Sequence, residues 1–134
     1  MNSELKRYAA AVLKCGNKVL LAKRKRRRSD YPGIWDFVGG HCEGAEEFES
    51  AMKRELFEEL AIEPLEFSCV MTVDESPDFI LNLFIVTEWK GLVQNKAQDE
   101  HELIQWFDLS DAKELDFING NYVEALKRIE DFKT

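Results

Sequence analysis

The sequence predicts an α/β fold in which strands and helices are mixed without strict βαβ alternation. Three observations lead there. Two β-rich runs, "YAAAVLK" and "KVLLAKR", flank the turn signal "CGN". The pattern turns helical from about Glu47 to Leu60. Further strand-like runs then succeed one another before an amphipathic helix closes the chain. That order favours α+β packing or an α/β sandwich over a doubly wound sheet. With 134 residues, 45% hydrophobic and 11% aromatic, a single domain over residues 1–134 with a real core is expected.

Each element has its own signal. Gly16-Asn17 sits at a hairpin turn, where positive φ is needed. "RRRSDYPGIWDFVGG" is loop-like, punctuated by Pro32, Gly33, Gly39 and Gly40. "FSCVMTVDE" and "FILNLFIVTEW" are two strands around Ser76-Pro77-Asp78. "LIQWFDL" is another short strand, and "NYVEALKRIEDF" is the C-terminal helix.

Composition narrows the function. The apolar run Tyr8 to Leu13 is too short for a membrane span and lacks signal-peptide order. Cys15, Cys42 and Cys69 are odd in number and form no CxxC pair, so buried or neutral free thiols in a reducing compartment are expected. The reading is a soluble cytoplasmic protein with no membrane partner. The formal net charge is −8, yet "KRKRRR", Lys23 to Arg28, concentrates the positive residues. The acidic remainder argues against a nucleic-acid partner, whose affinity comes mostly from neutralising many phosphates. A short basic loop can still hold one polyphosphate.

"RELFEEL", residues 54 to 60, gathers Glu55, Glu58 and Glu59 where like charges repel. With Phe48 at zero and about 100° per residue, Ala51, Met52, Leu56 and Leu60 form one apolar stripe. Glu55 (near 340°) and Glu59 (near 20°) fall inside that stripe, and Glu58 (near 280°) sits at its edge. A solvated acidic face would point the other way. Arg54 is expected to pair with one acid but not with three. Buried carboxylates need a partner or a metal, and a hard oxygen cluster suits Mg²⁺ or Mn²⁺ rather than zinc. A divalent-metal site and a surface ion-pair network both remain open on spacing alone.

Residues 39 to 62, "GGHCEGAEEFESAMKRELFEELAI", resemble the Nudix box, G-x5-E-x7-R-E-U-x-E-E-x-G-U with U aliphatic. Gly40, Glu46, Arg54, Glu55, Leu56, Glu58, Glu59 and Ile62 occupy the expected places, whereas Ala61 stands where the pattern has glycine. The resemblance implies a Nudix-type α/β/α sandwich with a mixed β-sheet between helices. It also implies hydrolysis of a nucleoside diphosphate linked to another moiety, with Mg²⁺ required and Mn²⁺ able to substitute. Glu55, Glu58 and Glu59 would be ligands, joined by the Gly39 carbonyl and by Glu100, six residues before Trp106, with Glu102 the competing choice. Glu55 is also the candidate to orient or deprotonate water, Arg54 would pair with a box glutamate, and Glu46 would serve the metal or the structure. His101 and His41 are read as solvated bystanders rather than bases.

The resemblance further points to the MutT-like branch, which hydrolyses oxidised guanine nucleotides such as 8-oxo-dGTP to the monophosphate and pyrophosphate. "IWDFVGG" places Phe37 to line a base pocket, with Val38 where that branch has proline. Asn121, fifteen residues after Trp106, stands at the interval of a base-reading asparagine, or else caps the last helix. Arg24 matches an arginine contacting phosphates, with Lys25 to Arg28 either a phosphate clamp or a solvated loop. Other substrates of the family (nucleotide sugars, dinucleoside polyphosphates, capped RNA) and a non-catalytic nucleotide sensor are the alternatives. Family members of this size occur as monomers and homodimers.

Overall fold

In the computed structural model, which describes residues 5–25, 34–115 and 121–132, strand β1 (Lys6–Cys15) is covered on both faces. Its apolar run is therefore continuous rather than alternating. Ala9, Ala11 and Leu13 point into one core, packed by Ala51, Met52, Leu56 and Leu60 of helix α1 (Phe48–Leu60). Ala10 and Val12 point into a second core, packed by Ala125, Leu126 and Ile129 of helix α3 (Asn121–Asp131). A sheet between two helical layers is the expected α/β/α sandwich.

Strand β2 (Lys18–Arg24) follows β1 through the Gly16-Asn17 turn and pairs with it at Lys14↔Val19 and Cys15↔Lys18. It also carries β7 (His101–Asp108) and the two-residue β3 (Trp35–Asp36), both antiparallel. On its other flank β1 lies parallel to β6 (Phe79–Lys90), whose outer neighbour is the antiparallel β5 (Glu63–Ser76). Strand β4 (Val38–His41) adds antiparallel to β1, and the main path runs β3-β2-β1-β6-β5. The sheet is mixed because of the single β1–β6 parallel pair among the described strands.

Four details depart from the sequence reading. Trp35–Asp36 and Val38–His41 are strands where a loop was expected, because they pair along β2 and β1. A Cβ on Gly39 (φ 155°) would lie 2.2 Å from the Ala9 carbonyl oxygen, so glycine there is what lets the two backbones meet. Strand β5 starts at Glu63, before the expected Phe67, and a short helix α2 (Leu109–Ala112) follows β7. The thiols are free as expected, but Cys15 and Cys69 are exposed rather than buried. Among the described residues, no helix is long and apolar enough to cross a membrane.

The two longer helices are closed at their C-termini in different ways. Lys14, a buried lysine of β1, donates Nζ hydrogen bonds to the carbonyls of Ile129 (2.9 Å) and Phe132 (3.1 Å), tying down the end of α3. Helix α1 ends on Ala61, which takes the left-handed conformation (φ 62°, ψ 36°) and donates its N–H to the Phe57 carbonyl at 3.0 Å. The turn is kept without glycine, at the cost of a Cβ in the left-handed region. Ala61→Gly is therefore expected to stabilise the protein by about 0.5–1 kcal/mol in denaturant titration. No gain, or a loss, would mean that the alanine carries no strain there.

Candidate active site

Helix α1 sets its acids at three depths. Glu59 is 3% exposed, Glu55 is half-buried, and Glu58 is exposed with 54% of its side chain open. Glu58, at the edge of the apolar stripe, is the outermost. Strand β4 makes room beside these acids: a Cβ on Gly40 would sit 2.6 Å from Glu55 Oε1.

Arg54 does more than pair with one acid. Its Nε and Nη2 donate to Glu46 at 2.9 and 3.0 Å, a two-pronged contact. Nη1 donates to Glu55 and to Glu58, each at 3.1 Å, and Nη2 also reaches the His41 carbonyl at 2.9 Å. The planar guanidinium has five donors, so one residue can serve three carboxylates. The contact holds the Glu46 carboxyl below its ordinary range and raises the guanidinium above its own.

Glu59 faces β7 instead. Its Oε1 lies 2.7 Å from His101 Nε2, and its Oε2 is buried with no hydrogen-bond partner among the described residues. Ligating atoms of Glu59, Glu100 and His101 all lie within 4.8 Å of one another. The segment before β7 is brought there by backbone bonds: Gln94 N–H to Leu60 O (3.0 Å), Lys96 N–H to Glu59 O (2.8 Å), and Glu100 and His101 N–H to Ala97 O (each 2.9 Å). Burial pushes the Glu59 carboxyl up to about 10, helped by the neighbouring Glu55, then Glu100 and Asp36. A buried carboxylate among acids, with one oxygen unserved, is what a divalent cation would relieve, and the donor set is mostly hard oxygen. The residues fit such an ion.

One expectation is corrected by these positions, and the other residues are placed as follows. His101 is not a solvated histidine; it is 6% exposed and packed against Glu59. Glu102, the competitor of Glu100, has its carboxylate 3.9 Å from Lys23 Nζ, on the neighbouring strand. Arg24 pairs in register with His101 and directs Nη1 to Asp36 Oδ2 at 3.2 Å. Lys25 donates its N–H to the Glu100 carbonyl at 3.0 Å, just past the end of β2. Arg26, Arg27 and Arg28 lie outside the described residues.

A second region is apolar. Between the sheet and α3 lies an apolar pocket open to solvent. Phe37, Asn121 and Tyr122 line it together with Leu81, Leu83 and Ala125. The Phe37 and Tyr122 rings are in contact, with centroids 4.6 Å apart. Asn121 is the first residue of α3 and lines this pocket, so the position read as either cap or base reader is at the pocket wall. Sequence reasoning missed Asp36 and Tyr122. Tyr122 donates its hydroxyl to Asp36, whose carboxyl burial raises above its ordinary value. The signal available was an acid wedged between Trp35 and Phe37, an unusual place for a solvated charge.

The molecule is an α/β/α sandwich with a buried acid cluster on the α1 face of its sheet and an apolar pocket on the α3 face. The family profile of the NUDIX domain matches residues 5–126. An 8-oxo-dGTP diphosphatase of Proteus vulgaris is 37% identical over 101 residues, covering 72% of this chain and 89% of the relative. A CTP pyrophosphohydrolase of Escherichia coli is 35% identical over 100 residues, covering 72% and 71%. The crystal structure of a MutT NUDIX hydrolase from Burkholderia pseudomallei superposes with a TM-score of 0.78 at 23% identity, covering 94% and 98%. The chain belongs to the Nudix family and is a hydrolase.

The Glu59 environment predicts how stability responds to pH. Its folded pKa (about 10) stands above the ordinary carboxyl value of 4.5, so the folded state holds that proton more tightly. Stability from this group is complete below the unfolded pKa and is lost as pH rises towards the folded one. Without metal, the melting temperature is expected to fall from about pH 5 upwards, and Mg²⁺ or Mn²⁺ is expected to raise it more at about pH 8 than at about pH 5.5. Metal shifts of equal size at both pH values would count against the cluster as the binding place.

Proposed function

We propose that the chain is a divalent-metal-dependent nucleotide pyrophosphohydrolase, cleaving a (d)NTP with water to the monophosphate and pyrophosphate, and that its preferred base is an oxidised purine, as in 8-oxo-dGTP. The observation that carries the reading is Glu59, buried with Oε2 unserved between Glu55 and Glu100, at one side of a sheet whose other side holds an apolar pocket. The curated relatives differ in the base that their names give and agree on the reaction type.

Glu55, Glu58, Glu59, Glu100 and the Gly39 carbonyl would hold the ion, with Mg²⁺ the resident metal and Mn²⁺ a substitute. When bound, a divalent ion neutralises polyphosphate charge and lowers the pKa of a coordinated water. Arg54 holds Glu55 and Glu58 in place against their mutual repulsion, each at 3.1 Å. Glu55, steadied at Oε1, orients the attacking water and takes its proton. Arg24 and Lys25, at the end of β2 beside Glu100, serve the phosphates, while Phe37 and Asn121 receive the base. A cytosolic setting agrees with three free cysteines.

A panel of nucleoside triphosphates with Mg²⁺, including 8-oxo-dGTP, dGTP and CTP, tests the reading by scoring pyrophosphate against orthophosphate. Orthophosphate release, or no turnover of any triphosphate, would overturn it. Glu58→Gln and Glu59→Gln are each expected to lower kcat about a hundredfold or more. Glu59→Gln should at the same time make the metal-free protein more stable at about pH 8, because it removes the cost of keeping that carboxyl protonated in the folded state. Near-normal turnover of both variants at saturating Mg²⁺ would remove these acids from the metal set. Asn121→Ala should raise KM for the preferred nucleotide and flatten discrimination between bases by roughly tenfold. Unchanged selectivity with a lower melting temperature would make Asn121 a helix cap only.

A further inference from the structure

We infer that Asp36 is the positioning residue of the pocket, acting through Tyr122 and Phe37, and thereby a determinant of base selectivity; this rests on the pocket being the base site. The pocket is largely apolar, so the orientation of a base depends on few polar groups, and their placement must hold to within fractions of an ångström to discriminate. Asn121 is such a group, yet it stands at the first residue of α3, where the helix itself provides least constraint. The far end of α3 is tied to β1 by Lys14. The near end is tied at Tyr122, next to Asn121, by the hydroxyl donated to Asp36 Oδ1.

The same oxygen accepts the Phe37 backbone N–H at 2.7 Å, while Asp36 Oδ2 accepts Arg24 Nη1 at 3.2 Å. One carboxylate thus joins both walls of the pocket to the end of β2. Asp36 is itself held by its strand pairing with Ala22. Because the Phe37 and Tyr122 rings already touch, a base lies against them rather than between them, and a small change in the clasp moves the wall it rests on. Desolvation of the carboxyl and of the Tyr122 hydroxyl, both shifted upward by burial, agrees with a dry contact rather than a surface one.

The test uses Tyr122→Phe, which keeps the ring and deletes one hydrogen bond, and Asp36→Asn, which keeps the size and removes an acceptor. Binding of guanosine, 8-oxoguanosine and cytidine monophosphates without metal is measured by calorimetry, alongside kcat/KM for the corresponding triphosphates and Mn²⁺ affinity by electron paramagnetic resonance. The ratio of tightest to weakest base is expected to fall by about tenfold in both variants, with Mn²⁺ affinity of Tyr122→Phe unchanged. A wild-type ratio in Tyr122→Phe, even with a lower melting temperature, would reduce the clasp to a structural contact and overturn the proposal. Mn²⁺ affinity lost in parallel with selectivity would also overturn it, since the effect would then be global. Should Asp36→Asn fail to fold, Tyr122→Phe decides alone. No base preference in the unaltered protein would overturn the pocket reading itself, and with it this inference, a failure recognisable because it needs no variant.

Discussion

Glu59 is the constraint around which the rest is arranged. An ionised carboxylate that is 3% exposed costs several kcal/mol unless compensated, and its neighbours Glu55 and Glu100 make ionisation harder still. Helix α1 tolerates this because Ala51, Met52, Leu56 and Leu60 anchor it in the core on either side of the acid. Arg54 removes the part of the problem within its reach, at Glu46, Glu55 and Glu58. What is left, one unserved oxygen pointing among acids, is a local instability that an ion would turn into affinity.

The two faces of the sheet divide the work. The core against α1 supports the acids, and the core against α3 supports the pocket. A short stretch of chain joins them. Phe37 packs in the second core, Val38 in the first, and Gly40 leaves the space that Glu55 occupies. Through Asp36 the pocket is also linked to Arg24, whose strand partner His101 touches Glu59. The apolar pocket and the acid cluster are thus joined through the contacts of Asp36, Arg24 and His101.

Much of the fold is legible in the sequence, for identifiable reasons. Helix α1 has a period and a stripe, so the depths of Glu55, Glu58 and Glu59 come from geometry that is local to thirteen residues. The long strands carry dense apolar runs, and the Gly16-Asn17 turn has its own chemistry. Strands β3 and β4 look like loop in the sequence because strands of two and four residues, one of them rich in glycine, have no pattern of their own; pairing with β2 and β1 creates them. The burial of His101 is likewise invisible there, because it depends on Ala97 and Glu59, one across a turn and the other across the fold.

The amino-acid sequence by itself determined the layered α/β class, the acidic helix, the exposure of Glu58 relative to its neighbours, and the family through the spacing of the box. These depend on contacts within a few residues or on periodicity along one element. Only the tertiary structure decided that Arg54 serves three acids, that Glu100 rather than Glu102 joins Glu59, and that Asp36 holds Tyr122. The contacts of Glu59 with β7 and of Asp36 with α3 close between residues far apart in the chain, and Arg54 reaches back across a loop to Glu46. Periodicity says nothing at such separations, and the packing of the sheet against its two helices sets the partner.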